Sequence, residues 1–278
     1  MFKRRGIEYG DQLLRQMQQG VYLFHFDISN CSQRVRICLS EKQVPWHSHR
    51  INLMMNEHSS EWFQRINPKG LVPVLVHDGH VVTESIEIIR YLDQQFGSVS
   101  LIPKEPESVL ALNEILQMAD DAQSAIKLLT HYFLIGPQRL VFKWTFKQFA
   151  QKHQNEELVN FRRRFINNEF TEAEVRADIQ TMHELFTVLN QRLMNKHWFV
   201  NDNFSLADVA WMVNVHRMEL MGFPLAEYPH LSNWYERIKQ RPSFKAGLTD
   251  YEPFILKQYF NFYSKLNRRK HEQLFAAA

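Results

Sequence analysis

Cysteine is scarce in this 278-residue chain: Cys31 and Cys38 are its two cysteines. So few exclude a disulfide-framework fold. They stand seven positions apart. On a helix that is about 10 Å along the axis, beyond the reach of a disulfide. A reducing, cytoplasmic setting fits this usage. Glycine (9) and proline (10) are also few, which excludes a collagenous or low-complexity chain. No apolar run reaches the roughly 18 residues of a membrane span, so none is expected. Met1 to Gly20 carries charge but no apolar stretch of the signal-peptide kind. Charge of one sign is not in excess either: 33 Lys and Arg against 30 Asp and Glu leave +3. That balance gives no argument for nucleic acid as a partner. The 13 histidines show no paired metal-ligand spacing, so no metal site is expected.

What the chain does have is 45% apolar residues, enough for a large core in one or two domains. Val21 to Phe26 is rich in β-branched and aromatic residues and predicts a buried strand. Polar Asp27 to Asn30 breaks it. From Cys31 to Lys42, Val35, Cys38 and Leu39 recur at helical spacing, with Pro45 just beyond as a stop. Trp46 to Leu53 reads as a second strand and Glu57 to Ile66 as a short helix. Val72 to Val76 and His80 to Thr83 flank Asp78-Gly79, a strong hairpin signal. Glu84 to Phe96 reads as a helix. The order βαβαββα, with a right-handed crossover between the first two strands, is the layout of the thioredoxin fold.

Leu101 to Pro106 is polar and proline-marked and reads as a linker. Beyond it the patterns are helical: Ser108 to Phe133, Arg139 to Phe165, Thr171 to Met194, Ser205 to about Met221, and Pro229 to Gln240. Thr171 with Glu174, and Ser205 with Asp208, have capping-box spacing. The expected organisation is an extension (1–20), a thioredoxin-like α/β domain (21–100), an all-helical domain (101–250) and an aromatic, basic tail (251–278). That tail holds seven aromatics and five Lys or Arg. It fits either a segment lying on a membrane surface or partner or, the favoured reading, a helix folded back over the protein's own core.

Four stretches carry a resemblance. Ser29-Asn-Cys-Ser-Gln-Arg-Val-Arg36 resembles the serine- and cysteine-containing motif of zeta-class glutathione transferases, departing from it at Asn30. Asn67 to Leu75 resembles the cis-proline loop of the glutathione transferase superfamily. Thr83-Glu-Ser-Ile86 resembles its Glu-Ser glutathione clamp, and Phe204 to Asp208 its helix-capping box. The first motif, with Tyr228 to Tyr235 and Arg241 to Phe244, also resembles tetrachlorohydroquinone reductive dehalogenases. Glu57 to Phe63 through Glu84 resembles bacterial β-etherases, and the long helical domain resembles the ganglioside-induced differentiation-associated family.

The resemblance implies glutathione as co-substrate, a small hydrophobic or aromatic electrophile as second substrate, and a homodimer. It assigns Ser29 as donor to the glutathione sulfur, a position that equally suits a plain N-cap. Cys31, at a helix N-terminus beside Arg34, is in a setting that favours a thiolate. It suits a nucleophile that takes glutathione into a mixed disulfide, and equally a small packed hydrophobe. Ser32 belongs to the same helix start. Val72 would offer its backbone to the peptide's cysteine, exposed by a cis bond to Pro73. Glu84 and Ser85 would meet the γ-glutamyl end, and His58 and Lys69 would reach the glycyl carboxylate. Cys38 reads as structural. Phe133, Phe142, Trp144 and Phe146 are candidate walls for the electrophile, and Arg162 to Arg164 read as a solvated surface. Dehalogenation, thiol transfer and ether cleavage compete as reactions. The alternatives are a zeta-like cis–trans isomerase and a non-catalytic binding or structural protein on the same fold.

Overall fold

The computed structural model describes residues 7–97, 99–252, 258 and 273–275. Strands β1 (Val21–His25), β2 (His47–Arg50), β3 (Val74–His77) and β4 (His80–Thr83) form one sheet in the order β2-β1-β3-β4. β1 runs parallel to β2, with Leu23 opposite Ser48. It runs antiparallel to β3, with Leu23 opposite Leu75. The β3–β4 turn is the predicted Asp78-Gly79, at φ 48° and 79°. Both central residues at positive φ is the turn geometry that matches the twist of a hairpin.

Alternation along β1 divides two cores. Val21 and Leu23 face the main one, with α2 (Asn30–Glu41) and α4 (Ser85–Gln95). Phe24, Val74 and Val76 face a second core with Trp62, Phe63 and Ile66, the last three from α3 (Glu61–Ile66). A helix that the sequence reading did not find, α1 (Ile7–Gln16), packs on α3 and adds Leu13 to that second core. Its glycine, Gly10, lies so close to the Trp62 carbonyl that a Cβ there would sit 2.4 Å from the oxygen.

The helical domain opens with α5 (Pro106–Phe133), which packs on α8 (Glu172–Arg192) and α9 (Leu206–Met221). Both expected capping boxes are present, at Thr171 with Glu174 and at Ser205 with Asp208. Gly222 ends α9 at φ 85°, a left-handed cap that glycine adopts without a steric cost. The predicted helix from Arg139 to Phe165 is two helices, α6 (Arg139–Lys152) and α7 (Glu156–Ile166). His153 turns to extended backbone, and the Asn155 side chain accepts the Leu158 N–H at 3.0 Å to start α7 afresh. After α10 (Pro229–Lys239), the Arg241-Pro242 stop begins another short helix, α11 (Pro242–Gly247).

Most of the aromatic, basic tail lies outside the described residues. Leu274 and Phe275 are described and buried in the main core. Phe275 stacks on Phe133 with centroids 4.9 Å apart and meets Phe223 edge-on. For these two residues the fold-back reading holds.

A buried ion pair ties the linker down. Lys42 Nζ is 2.8 Å from Asp93 Oδ1, and both side chains are 2% exposed. Asp93 also accepts the Leu101 and Ile102 N–H groups and the Ser100 hydroxyl. Asp93→Ala leaves Lys42 charged and buried beside two carbonyls, so a loss of about 3–5 kcal/mol is expected from urea denaturation.

His216 in α9 is buried between Tyr235 and Glu252, 2.8 and 2.7 Å away. Burial alone would lower its pKa, but hydrogen bonds and charge from Glu219 and Glu252 outweigh it and the net shift is upward. A raised folded pKa stabilises fully below the unfolded value of about 6.5 and is lost as pH rises through the folded value. His216→Gln should therefore destabilise more at pH 5.5 than at pH 9, read from denaturation midpoints at both.

Candidate functional site

The site is built on the first turn of α2. Ser29 caps it: its Oγ accepts the Ser32 N–H at 3.3 Å from extended backbone at φ −69° and ψ 122°. Cys31 is half-buried, and its Sγ donates to Gln123 Oε1 of α5 at 3.6 Å. Asn30 donates to the same Gln123 oxygen at 3.3 Å and to Asn214 Oδ1 of α9 at 2.7 Å. Gln123 Nε2 donates in turn to Asn214 Oδ1 at 2.9 Å. An amide cluster from three helices thus holds the thiol.

Ser32 departs from its expected place. It is fully buried, and its Oγ accepts the Phe26 N–H at 3.3 Å. Its oxygen closes the end of β1, because the strand-to-helix turn leaves that N–H without a ladder partner. Cys38 is buried in the main core, as expected, and burial pushes its thiol well above the ordinary range.

Two buried guanidiniums, Arg34 and Arg217, bond to residues around the first turn of α2. Arg34 Nη1 donates to Ser85 Oγ at 2.9 Å, and Nη2 to the Ala119 carbonyl at 3.3 Å. Burial lowers the Arg34 pKa, opposed by Cys31 and Asp120. Arg217 Nη2 donates to the Ile28 carbonyl at 2.6 Å and to Gln33 Oε1 at 3.4 Å. Its pKa is also lowered by burial, against Glu252 and Cys31. The Arg34–Ser85 bond joins α2 to the N-terminus of α4. Ser85 Oγ accepts there, so its O–H proton is free to donate to an anion.

Glu84 sits at φ 63° and ψ 120° immediately before α4. Such a conformation in a non-glycine residue is costly and persists where surroundings impose it. Its carboxylate is 2.6 Å from Lys69 Nζ on the exposed rim. The hydrogen bond and charge of Glu84 hold the Lys69 pKa above its usual value. The Val72–Pro73 bond is cis. Among the described residues, neither the N–H nor the C=O of Val72 has a hydrogen-bond partner.

His58 is not on the cleft rim. It is 6% exposed beneath α6, its ring against Phe149 and His153 at 5.4 and 5.5 Å. Burial, then His153 and Arg162, push its pKa down to about 3. It therefore supplies no cation for a carboxylate at the surface. The cause is α6, which docks across the loop: Asn56 Nδ2 donates to the Thr145 carbonyl at 3.0 Å, and Gln64 Nε2 to the Lys152 carbonyl at 2.9 Å.

The arginine run divides three ways. Arg162 is buried rather than solvated. It donates to Asn56 Oδ1 at 2.5 Å and Thr145 Oγ1 at 2.6 Å, and lies over the Phe149 and Phe142 rings at 4.2 and 4.7 Å. Arg163 and Arg164 remain outside and pair with Glu169 and Glu174. Of the candidate walls, Phe133 is core, and Phe142 and Phe146 pack partly buried on it. Trp144 is 79% exposed and points outward. Gln123, Asn214 and Arg217 were not singled out from the sequence. Their signal was available: Asn214 and Arg217 fall in the stretch Leu206 to Met218 of α9, which is buried throughout and mostly apolar.

A thioredoxin-like sheet with an unpartnered Val72 backbone, a helix start bearing Ser29 and Cys31, and a helical domain closing over both define a glutathione transferase-type architecture. Comparison with known proteins agrees. Residues 23–103 match the glutathione S-transferase N-terminal domain, and residues 130–242 match the C-terminal domain. The chain belongs to the glutathione S-transferase superfamily of enzymes. It is 26% identical to glutathione S-transferase Z1 of Arabidopsis thaliana over 240 residues, spanning 85% of this chain and 95% of that protein. It is 22% identical over 308 residues to ganglioside-induced differentiation-associated protein 1-like 1 of Homo sapiens, spanning 94% and 82%. The crystal structure of β-etherase LigF from Sphingobium sp. strain SYK-6 superposes with a TM-score of 0.73 at 24% identity, covering 82% of this chain and 98% of that one. No helix among the described residues is long and apolar enough to cross a membrane, and none of them form a metal-ligating cluster.

Proposed function

We propose that this protein is a glutathione-dependent transferase acting on a small aromatic electrophile, with Ser29 and Cys31 as its catalytic residues. The observation that carries the reading is the half-buried Cys31 thiol in the first turn of α2, held by Gln123 and standing two residues after the Ser29 cap. Ser29 donates its hydroxyl proton to the glutathione sulfur when the peptide is bound. The open N–H and C=O of Val72 pair with the backbone of its cysteine, on the edge that cis Pro73 leaves free. Ser85 donates to the γ-glutamyl carboxylate, and Glu84 meets the α-ammonium in place of Lys69. Lys69, released from Glu84, is the rim cation near the glycyl end.

Glutathione first displaces a leaving group from the electrophile and forms a C–S bond. In the second step the Cys31 thiolate attacks the sulfur of that adduct. The new S–S bond forms as the C–S bond breaks, and the electron pair stays on carbon, which takes a proton. A second glutathione thiolate then frees Cys31 and leaves as oxidised glutathione. This sequence serves reductive dehalogenation, thiol transfer and ether cleavage alike.

Two substitutions test it. Cys31→Ser should bind glutathione resin normally and stop at the glutathionyl adduct, since a hydroxyl is far less nucleophilic than a thiolate at neutral pH. Ser29→Ala should slow the first step roughly ten- to a hundredfold, the worth of a charge-assisted bond. Losing the cap also costs about 1 kcal/mol of stability, which thermal unfolding separates from the rate effect. Mass spectrometry of wild type trapped in turnover should find glutathione on Cys31. Normal turnover by Cys31→Ser would make this a serine-type transferase with a packed cysteine, and failure of wild type to be retained on the resin would favour a non-catalytic protein.

The resemblance also supports a cytoplasmic homodimer, with α4 of one protomer against the helical domain of its partner. Light scattering at micromolar concentration should give twice the chain mass, and a monomer mass would rule the dimer out.

A further inference from the structure

Gln123, Lys127 and His131 are spaced by four along α5 and share one face of it. Gln123 holds the Cys31 thiol. Lys127 stands one turn further on, about 6 Å along the axis. Its ammonium lies 4.1 Å from the centroid of the Phe161 ring on α7. Among the described residues it has no carboxylate at ion-pair distance and no hydrogen-bond acceptor. The carboxylate that acts on it is exposed Glu157, from beyond bonding distance. The buried arginines Arg34, Arg162 and Arg217 donate mainly to neutral oxygens. His131 adds no charge, because burial pushes its pKa down to about 4. Among the described residues, Lys127 is thus a cation on this face of α5 without an acceptor, next to an aromatic ring.

We propose that Lys127 is the specificity-determining residue of the second-substrate site, and that the electrophile is an aromatic carboxylate. The expected purely apolar wall thereby becomes an aromatic wall with one charge. The inference rests on the reading of Cys31 and glutathione given above. A ring set against Phe161 and Phe142 would place its carboxylate on Lys127 and its reacting carbon toward Cys31. One benzoate spans about one helical turn, the spacing along α5 between Lys127 and Gln123, which holds the Cys31 thiol. Burial without a partner lowers the Lys127 pKa, and a bound carboxylate would reverse that shift. A half-buried ammonium facing an aromatic ring is also a serviceable packing element, so the test must separate recognition from packing.

The experiment compares wild type with Lys127→Met, which keeps the stem and removes the charge, and with Lys127→Arg, which restores the charge. Circular dichroism verifies folding, and Lys127→Gln replaces the methionine variant if that one is unfolded. Turnover is measured with glutathione and either 4-chloro-3,5-dinitrobenzoate or its neutral carboxamide. Binding of unreactive 4-nitrobenzoate is measured separately by calorimetry. Wild type should prefer the carboxylate. Lys127→Met should lose ten- to a hundredfold in kcat/KM for the carboxylate, chiefly through KM, with the carboxamide unchanged. Lys127→Arg should recover much of it, and 4-nitrobenzoate binding should weaken in parallel. Equal losses on both substrates, or no loss on the carboxylate, would overturn the proposal. Turnover of both substrates without any Lys127 effect removes the anion site and leaves the transferase reading standing. Lys127-dependent binding of 4-nitrobenzoate without turnover does the reverse.

Discussion

The buried guanidinium of Arg34 is the constraint on which the site depends. One nitrogen donates to Ser85 at the start of α4 and another to the Ala119 carbonyl in α5. A single side chain from α2 thereby sets the distance between the two parts of the thioredoxin-like domain and fixes both against the helical domain. A charge this deep persists only if its donors are met. α5 must therefore keep a carbonyl in reach, and α4 must begin where Ser85 can accept. Neighbouring arginines repeat the device: Arg36 reaches the Gly247 and Asp27 carbonyls, and Arg217 reaches Ile28.

This seam has an electrostatic consequence. Arg34, Arg162 and Arg217 are bonded chiefly to carbonyls, amides and hydroxyls, so their charge is hydrogen-bonded but not cancelled. Asp120 approaches Arg34 only to 3.9 Å, with a side chain 57% exposed. Charges held in a low-dielectric interior are weakly screened.

The α6–α7 segment is the other determinant. It crosses from the helical domain to the loop before cis Pro73, burying His58 and locking Asn56 and Gln64 to Thr145 and Lys152. Arg162 completes the contact between the Phe142 and Phe149 rings. The segment thus closes the loop side of the site and leaves Leu140 and Trp144 on its outer face.

Much of the fold was legible because its signals are local. The Asp78-Gly79 turn, the caps at Ser29, Thr171 and Ser205, and the left-handed stop at Gly222 each depend on backbone groups within four residues of the side chain. Strand alternation and helical period are equally short-ranged. The two elements missed at the ends, α1 and α11, are short and are held by packing on α3 and α2. Resemblance to the family's motifs likewise marked Ser29, Cys31, Val72, Glu84 and Ser85 as candidates. What the sequence left open was decided across long separations. His58 was covered by a helix about ninety residues away. Arg162, the first arginine of its run, became core because Asn56 and Thr145 meet it, while Arg163 and Arg164 stayed at the surface. Gln123 acquired the Cys31 thiol from 92 positions away. A polar side chain goes inside only when a partner waits there, and that partner's position exists only once the chain has folded.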